Sequence, residues 1–188
     1  MKKSWGITAV IVAVAVVIIG IFVSSYNGLV ASQTEAETAF ANIDAQLQRR
    51  ADLIPNLIET VKGAMAHEQD IINSVTDARA KYVGAGSVND KLEAAGELES
   101  AISRLMVVVE NYPDIKTNQN FISLQDELAG TENRIAVARK DYNDAVKKYN
   151  MKIRSFPKNI IAGMFGFEQM NYFEAAAGSD KAPSVSFQ

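Results

Sequence analysis

Two stretches of the sequence bring together side chains of the kinds that do chemistry. His67-Glu68 matches the start of HExxH, the helical pair of histidines that holds a catalytic zinc. The second histidine should stand at position 71, which is Ile, and the chain has one histidine and no cysteine. The second histidine of the pair is therefore missing, and no cysteine can replace it. His67 reads as a helix-surface residue, and neither a metal site nor a cofactor site is expected. The second stretch, TENRIAVARKDYND (131–144), packs Glu132, Arg134, Arg139, Lys140, Asp141 and Asp144 around Asn133, Tyr142 and Asn143. Paired acids and bases beside a phenol suit proton transfer. The same polarity is also what the wet side of a packed helix looks like.

The elements that would hold these residues decide between the two readings. Thr131, Ile135, Ala138 and Tyr142 follow one another at steps of four, three and four, which is one face of a helix. The face extends in both directions through Phe121, Leu124 and Leu128, and through Ala145, Tyr149 and Ile153. An apolar seam of this length is the signature of coiled-coil-like packing. Glu132, Arg134, Lys140, Asp141 and Asp144 fall on other faces. Arg139 and Asn143 flank the seam, where they can bond to a facing helix or a neighbouring subunit, and Asn133 is a third candidate for setting register. No catalytic residue is assigned. No Gly-rich phosphate loop appears either, since VGAGS follows a helix and lacks the lysine.

Three more helices are expected before this one. Residues 5–23, WGITAVIVAVAVVIIGIFV, carry no charge and match the thickness of a bilayer core, roughly 30 Å. Trp5 and Tyr26 stand where interfacial aromatics belong. A cleaved signal peptide should have a shorter apolar region and a better cleavage site than SSYNGLVAS, so the run reads as an uncleaved, single-pass anchor. Tyr26, Leu29, Gln33, Ala36, Phe40, Ile43 and Leu47 continue it as one face. The first helix is expected to stop near RRADLIP, with Asp52 as cap and Pro55 in the first turn of the next. Leu57, Val61, Ala64, Glu68, Ile71, Val75, Ala78 and Tyr82 form the second face, which puts Glu68 on an apolar seam. Asn89 or Asp90 would cap a third helix facing inwards through Leu92, Ala95, Leu98, Ile102, Leu105 and Val109. Tyr112-Pro113 then turns the chain. Small residues on the seams, Ala36, Ala64, Ala95 and Ala138, would allow close approach.

The expected fold is all-α: an N-terminal transmembrane helix continuing into an antiparallel up-down four-helix bundle with long helices. The divisions are an anchor at 1–25, a bundle at 26–155, and an apolar segment with a loose tail at 156–188. In that topology Phe156, Phe165 and Phe167 return to the bilayer surface, where they lie at the interface or against a neighbouring anchor; the other reading is a cap on the bundle's own core. Arg50 and Asp52 meet the ENYPD turn, where Arg50 can pair with Glu110 or Asp114 or stay solvated. A first helix of 26–48 leaves much of the seam on 117–155 uncovered, which favours a homo-oligomer. Lys2 and Lys3 precede the span and no basic residue follows until Arg49, so the bundle is expected outside the cytoplasm. Setting those two lysines aside, the 19 basic side chains fall to 17 against 22 acidic ones, which argues against nucleic acid as a partner.

Particular motifs carry a family resemblance. YNGLV after the anchor, RRADLIPNLIETVKG, AHE, ENYPDIKTNQNFISLQDELAGTENRIAVARKDYND and the closing Phe156-Pro157 resemble the LemA family over about residues 26–174. The resemblance implies a membrane-tethered, all-helical antiparallel bundle and does not imply an enzyme. It also implies a short N-terminus outside and a bundle in the cytoplasm, which conflicts with the placement of the lysines. Relatives that begin with a lipoprotein-type signal favour export instead. With that resemblance, the functional expectation is a non-enzymatic scaffold that contacts membrane lipid, self-assembles at a bacterial inner membrane and organises or remodels it. The alternative is an adaptor offering helix faces, or the turns near 49–56 and 110–114, to a membrane protease or envelope protein.

Overall fold

The computed structural model describes residues 2–173. The expected loose tail, GSDKAPSVSFQ, lies outside the described residues. Six helices follow in order: α1 (Lys2–Lys62), α2 (Gln69–Gly84), α3 (Val88–Val109), α4 (Pro113–Lys116), α5 (Gln119–Arg154) and α6 (Lys158–Phe165). No strand occurs among the described residues. The chain forms two compact units, Met1–Phe40 with Asp141–Tyr172, and Ala41–Lys140 with Phe173–Gln188.

The first correction concerns α1, which does not stop at RRADLIP. It runs through Pro55 to Lys62, and residues 49–56 are helix rather than a turn. Periodicity explains why: Ile43, Leu47, Ala51, Ile54, Leu57 and Val61 are all buried, at unbroken steps of four and three. Pro55 lacks the N–H that would bond the carbonyl of Ala51. The Nε of Arg79, on α2, donates to that carbonyl at 2.8 Å. Pro55 itself is exposed, and Asp52 is an exposed mid-helix residue that accepts from the Gln48 side-chain amide. The helix ends later, after Lys62, and the chain turns from Gly63. Met65 fills the core at the turn, while Ala64 is exposed.

The longer α1 also removes the mismatch of helix lengths. Phe121, Leu128, Thr131, Ile135, Tyr142, Ala145, Val146, Tyr149 and Ile153 are all buried, so the α5 seam is not left open. Thr131 satisfies its hydroxyl on the Leu128 carbonyl of its own helix. Of the four small seam residues, Ala36 and Ala95 are buried and Ala138 half-buried.

The remaining ends are set by local chemistry. Ser87, not Asn89 or Asp90, caps α3, and its hydroxyl accepts from the Asp90 N–H at 3.1 Å. Tyr112 precedes α4 and Pro113 takes its first position, where no N–H is needed. The Asn118 side chain accepts from the N–H groups of Asn120 and Phe121 and so starts α5. α6 ends on Gly166 at φ 71°, the left-handed position that suits glycine.

Arg79→Met should leave the Ala51 carbonyl short of a partner and lower stability by about 1–3 kcal/mol. Pro55→Ala in that background restores the helical bond and should recover much of the loss. Thermal unfolding of the four members of this cycle in detergent checks it; equal losses with and without Pro55 would mean that Arg79 acts elsewhere.

Candidate functional site

In the unit built from 41–140, several polar side chains near the packed helices pair with one another. The Tyr82 hydroxyl donates to Asp44 Oδ1 at 2.7 Å, and Lys91 Nζ donates to Asp44 Oδ2 at 2.6 Å. One half-buried carboxylate thus joins α1, α2 and the start of α3. Burial, and then the Asp44 carboxylate accepting its proton, pushes the Tyr82 phenol well above its ordinary pKa. A phenol held neutral so firmly is a hydrogen-bond donor rather than a base. Asp44, Tyr82 and Lys91 lie far apart in sequence and escaped notice there, because no local pattern links them.

Arg50 does not reach Glu110 or Asp114 and is not solvated. Its side chain is 8% exposed and pairs through Nη1 with Glu132 Oε2 at 2.6 Å. Glu110 instead pairs with Lys116 at the exposed ENYPD turn. A guanidinium this buried needs a carboxylate, and α5 supplies it from TENRIAVARKDYND. Arg139 from the same stretch donates through Nη2 to Glu99 of α3 at 3.0 Å and lies 4.3 Å from the ring centre of Phe173. Asn133 is exposed and Asn143, which has a partner, is half-buried.

Glu68 stands at the start of α2, not on its apolar seam, because the chain turns at 63–68. There it accepts from the Tyr112 hydroxyl at 3.1 Å, joining two residues singled out in the sequence. Burial and the Glu68 carboxylate raise the Tyr112 pKa. His67 lies exposed in the same turn rather than on a helix, and no cluster of three or more His, Cys, Asp or Glu side chains forms a metal site among the described residues. A groove of about 840 Å³ between α2 and α3 is lined by Asp70, Asp77, Glu93 and Glu97 with Lys81 and Arg104. Lys81 and Glu97 pair across it at 2.7 Å.

The other unit is built from α1 up to Phe40, α5 from Asp141, α6 and the chain to Tyr172. Here α1 and α5 run antiparallel: Phe40 meets Tyr142, and Glu35 pairs with Lys148. Leu29, Tyr149, Ile153, Ile161 and Ala162 form its core. After Gly166 the chain returns along α5, held by side chains. Tyr149 and Tyr142 donate to the carbonyls of Glu168 and Asn171, and Asn150 both donates to and accepts from the backbone of Met170. Phe165 lies against Phe22 and Tyr26, and Phe167 against Tyr26. The apolar segment therefore caps this unit's core with one face, while Phe156 is 81% and Phe165 51% exposed.

The apolar run that precedes this unit's core is bare. From Val10 to Val23 its large aliphatic side chains are at least half exposed, and it belongs to a helix long and apolar enough to cross a membrane. The model of the LemA family matches residues 39–187. The chain belongs to the LemA family. It is similar to Magnetosome protein MamQ 2 of Paramagnetospirillum magneticum, with 29% identity over 82% of this chain and 66% of the relative. It is 26% identical to Magnetosome protein MamQ of Magnetospirillum gryphiswaldense over the same shares. Protein LemA of Metamycoplasma hominis is 24% identical over 83% of this chain and 72% of the relative. The chain thus spans just under two thirds of the magnetosome relatives' length. This LemA-family chain is a membrane-associated helical protein.

Tyr82→Phe removes one bond to a carboxylate and should cost about 1–2 kcal/mol. It should also flatten the alkaline limb of stability. The unfolded chain releases the phenol proton near pH 10 and the folded chain keeps it, so stability is full below that pH and falls above it. Melting temperatures from about pH 9 to 11 should drop less steeply in the variant, with a residual slope from Tyr112, Tyr142 and Tyr149, whose pKa values are also raised. Glu132→Gln should destabilise by less than the roughly 3–5 kcal/mol of a fully buried broken pair, because Glu132 is 40% exposed.

Proposed function

We propose that this LemA-family chain is a non-enzymatic, single-pass scaffold that self-assembles at the bacterial inner membrane and organises it. Its helices act as an antiparallel up-down four-helix bundle carried outside the cytoplasm. The observation that carries the reading is the continuity of α1, in which one helix bears both the bare apolar run and the buried seam. The polar side chains add to it, because Arg50, Glu132, Arg139, Glu99, Asp44 and Lys91 are engaged in holding helices together rather than left to meet a substrate. Relatives named as magnetosome proteins accord with a role in organising a bacterial membrane.

Self-assembly rests on the span. Trp5, Ala9, Val12 and Ala13 line a shallow groove on its surface. Small residues four apart let a second helix approach closely in lipid, where packing rather than the hydrophobic effect drives association. The adaptor alternative keeps the 110–114 turn, now joined to Glu68, and loses the 49–56 turn to α1.

The mass of the detergent-solubilised full chain tests the scaffold. Several copies per particle are expected, and Ala9→Leu with Ala13→Leu should reduce that number. A strict monomer at every concentration, or one that co-purifies with a single protein, would replace the scaffold by the adaptor. For sidedness, Gly86→Cys introduces a unique thiol into a position with open space and a chain without cysteine. An impermeant reagent added to intact spheroplasts should label it.

A further inference from the structure

We infer that the α5–α6 corner and the tip of α6 form a second membrane contact that selects anionic phospholipid, with Phe156, Ile160, Met164 and Phe165 against acyl chains and Lys152, Arg154 and Lys158 on the phosphates. This rests on residues 5–23 being a bilayer span.

The height of the site is fixed within one unit. The Phe165 ring centre is 5.9 Å from that of Phe22 and 4.8 Å from that of Tyr26. Phe22 belongs to the last turn of the uncharged run, and Tyr26 stands one turn beyond it. The tip of α6 is therefore level with the boundary between hydrocarbon and headgroups. Gly166 turns the chain back at that point, and Phe167 meets Tyr26 on the return.

α6 divides its side chains. Ile161 and Ala162 are buried against Leu29, Tyr149 and Ile153. Ile160 and Met164, four residues apart on the other side, are 54% and 67% exposed. With Phe156 and Phe165 they make an apolar surface continuous with the bare span. In water such a surface has nothing to gain; beside the bilayer it has acyl chains to enter.

Charge identifies the lipid. Between Ala145 and Phe167 the chain carries Lys147, Lys148, Lys152, Arg154 and Lys158 and no acidic residue, and α1 carries no charge from Ser24 to Thr34. Lys148 is taken by Glu35. Among the described residues no ion pair joins Lys152, Arg154 or Lys158. The Lys158 ammonium lies 3.9 Å from the place a Cβ on Gly28 would occupy, just outside the Tyr26 level. In a chain of net charge -3, the membrane end of this unit is locally positive. A second protein would have to be apolar and acidic at once, whereas an anionic bilayer offers both at the level where Phe165 meets Phe22 and Tyr26.

The full chain in vesicles tests this. Trp5→Phe removes the one tryptophan, and Met164→Trp places a reporter on the exposed face. Lipids brominated high in the acyl chain should quench it, brominated phosphatidylglycerol more strongly than brominated phosphatidylcholine. Adding Lys152→Gln, Arg154→Gln and Lys158→Gln should keep the quenching and abolish the preference, a loss of up to roughly fivefold per basic residue at low salt. Quenching equal in the two lipids overturns the selectivity. No quenching in a chain that resists carbonate extraction overturns the contact while leaving the span intact. A chain released by carbonate overturns the span and this inference together.

Discussion

In the proposed single-pass arrangement, α1 serves two solvents with one backbone. In lipid, a helix has to satisfy every N–H and C=O internally, because nothing outside will bond them. In the water-facing part, the same helix must present a seam to its neighbours. The uncharged run from Trp5 to Val23 meets the first demand by composition, and the step of three and four from Leu29 to Val61 meets the second. Because the helix never breaks, that arrangement needs no solvated loop at the proposed bilayer boundary. Pro55 is the one place where its chemistry threatens that continuity. Arg79 takes up the Ala51 carbonyl there, which makes α2 part of the reason that α1 can be so long.

Charge is arranged around the same requirement. Arg50 and Arg139 bring guanidinium groups close to the packed helices, and each meets a carboxylate from another helix, Glu132 or Glu99. Such pairs add little net stability, since desolvation offsets most of their attraction. We propose that they act on register. A helix slipped by one turn would strand a charge, so few alternative packings are tolerable. Tyr82 and Lys91 on one Asp44 carboxylate act in the same way between α1, α2 and α3.

Helix existence was legible because it depends on local periodicity; α5 and α3 begin and end within a few residues of where their apolar steps place them. The break at RRADLIP was misread because Pro55 outweighed a seam that continues through Ala51, Ile54 and Leu57. Ser87 was readable as a cap, standing three residues before Asp90 as a capping pair does, but the more polar Asn89 and Asp90 drew the assignment. Partners were a different matter. Glu132 lies off the α5 seam by periodicity, yet it faces Arg50, because the width of a buried stripe depends on which helix packs against it. No single-helix pattern contains that information. The same holds for Glu68, whose neighbour Tyr112 arrives by way of two intervening turns.

The return of the chain after Gly166 is fastened in an unusual way. Tyr142, Tyr149 and Asn150 bond to peptide groups of Asn171, Glu168 and Met170, so the recognised atoms are ones that every amino acid possesses. These bonds place almost no demand on which side chains occupy 168–171. Position 170 alone excludes proline, since its N–H donates to Asn150. Sequence information for this strap is therefore stored largely on α5, in the residues that grip it, while Met170 packs its own side chain on the core.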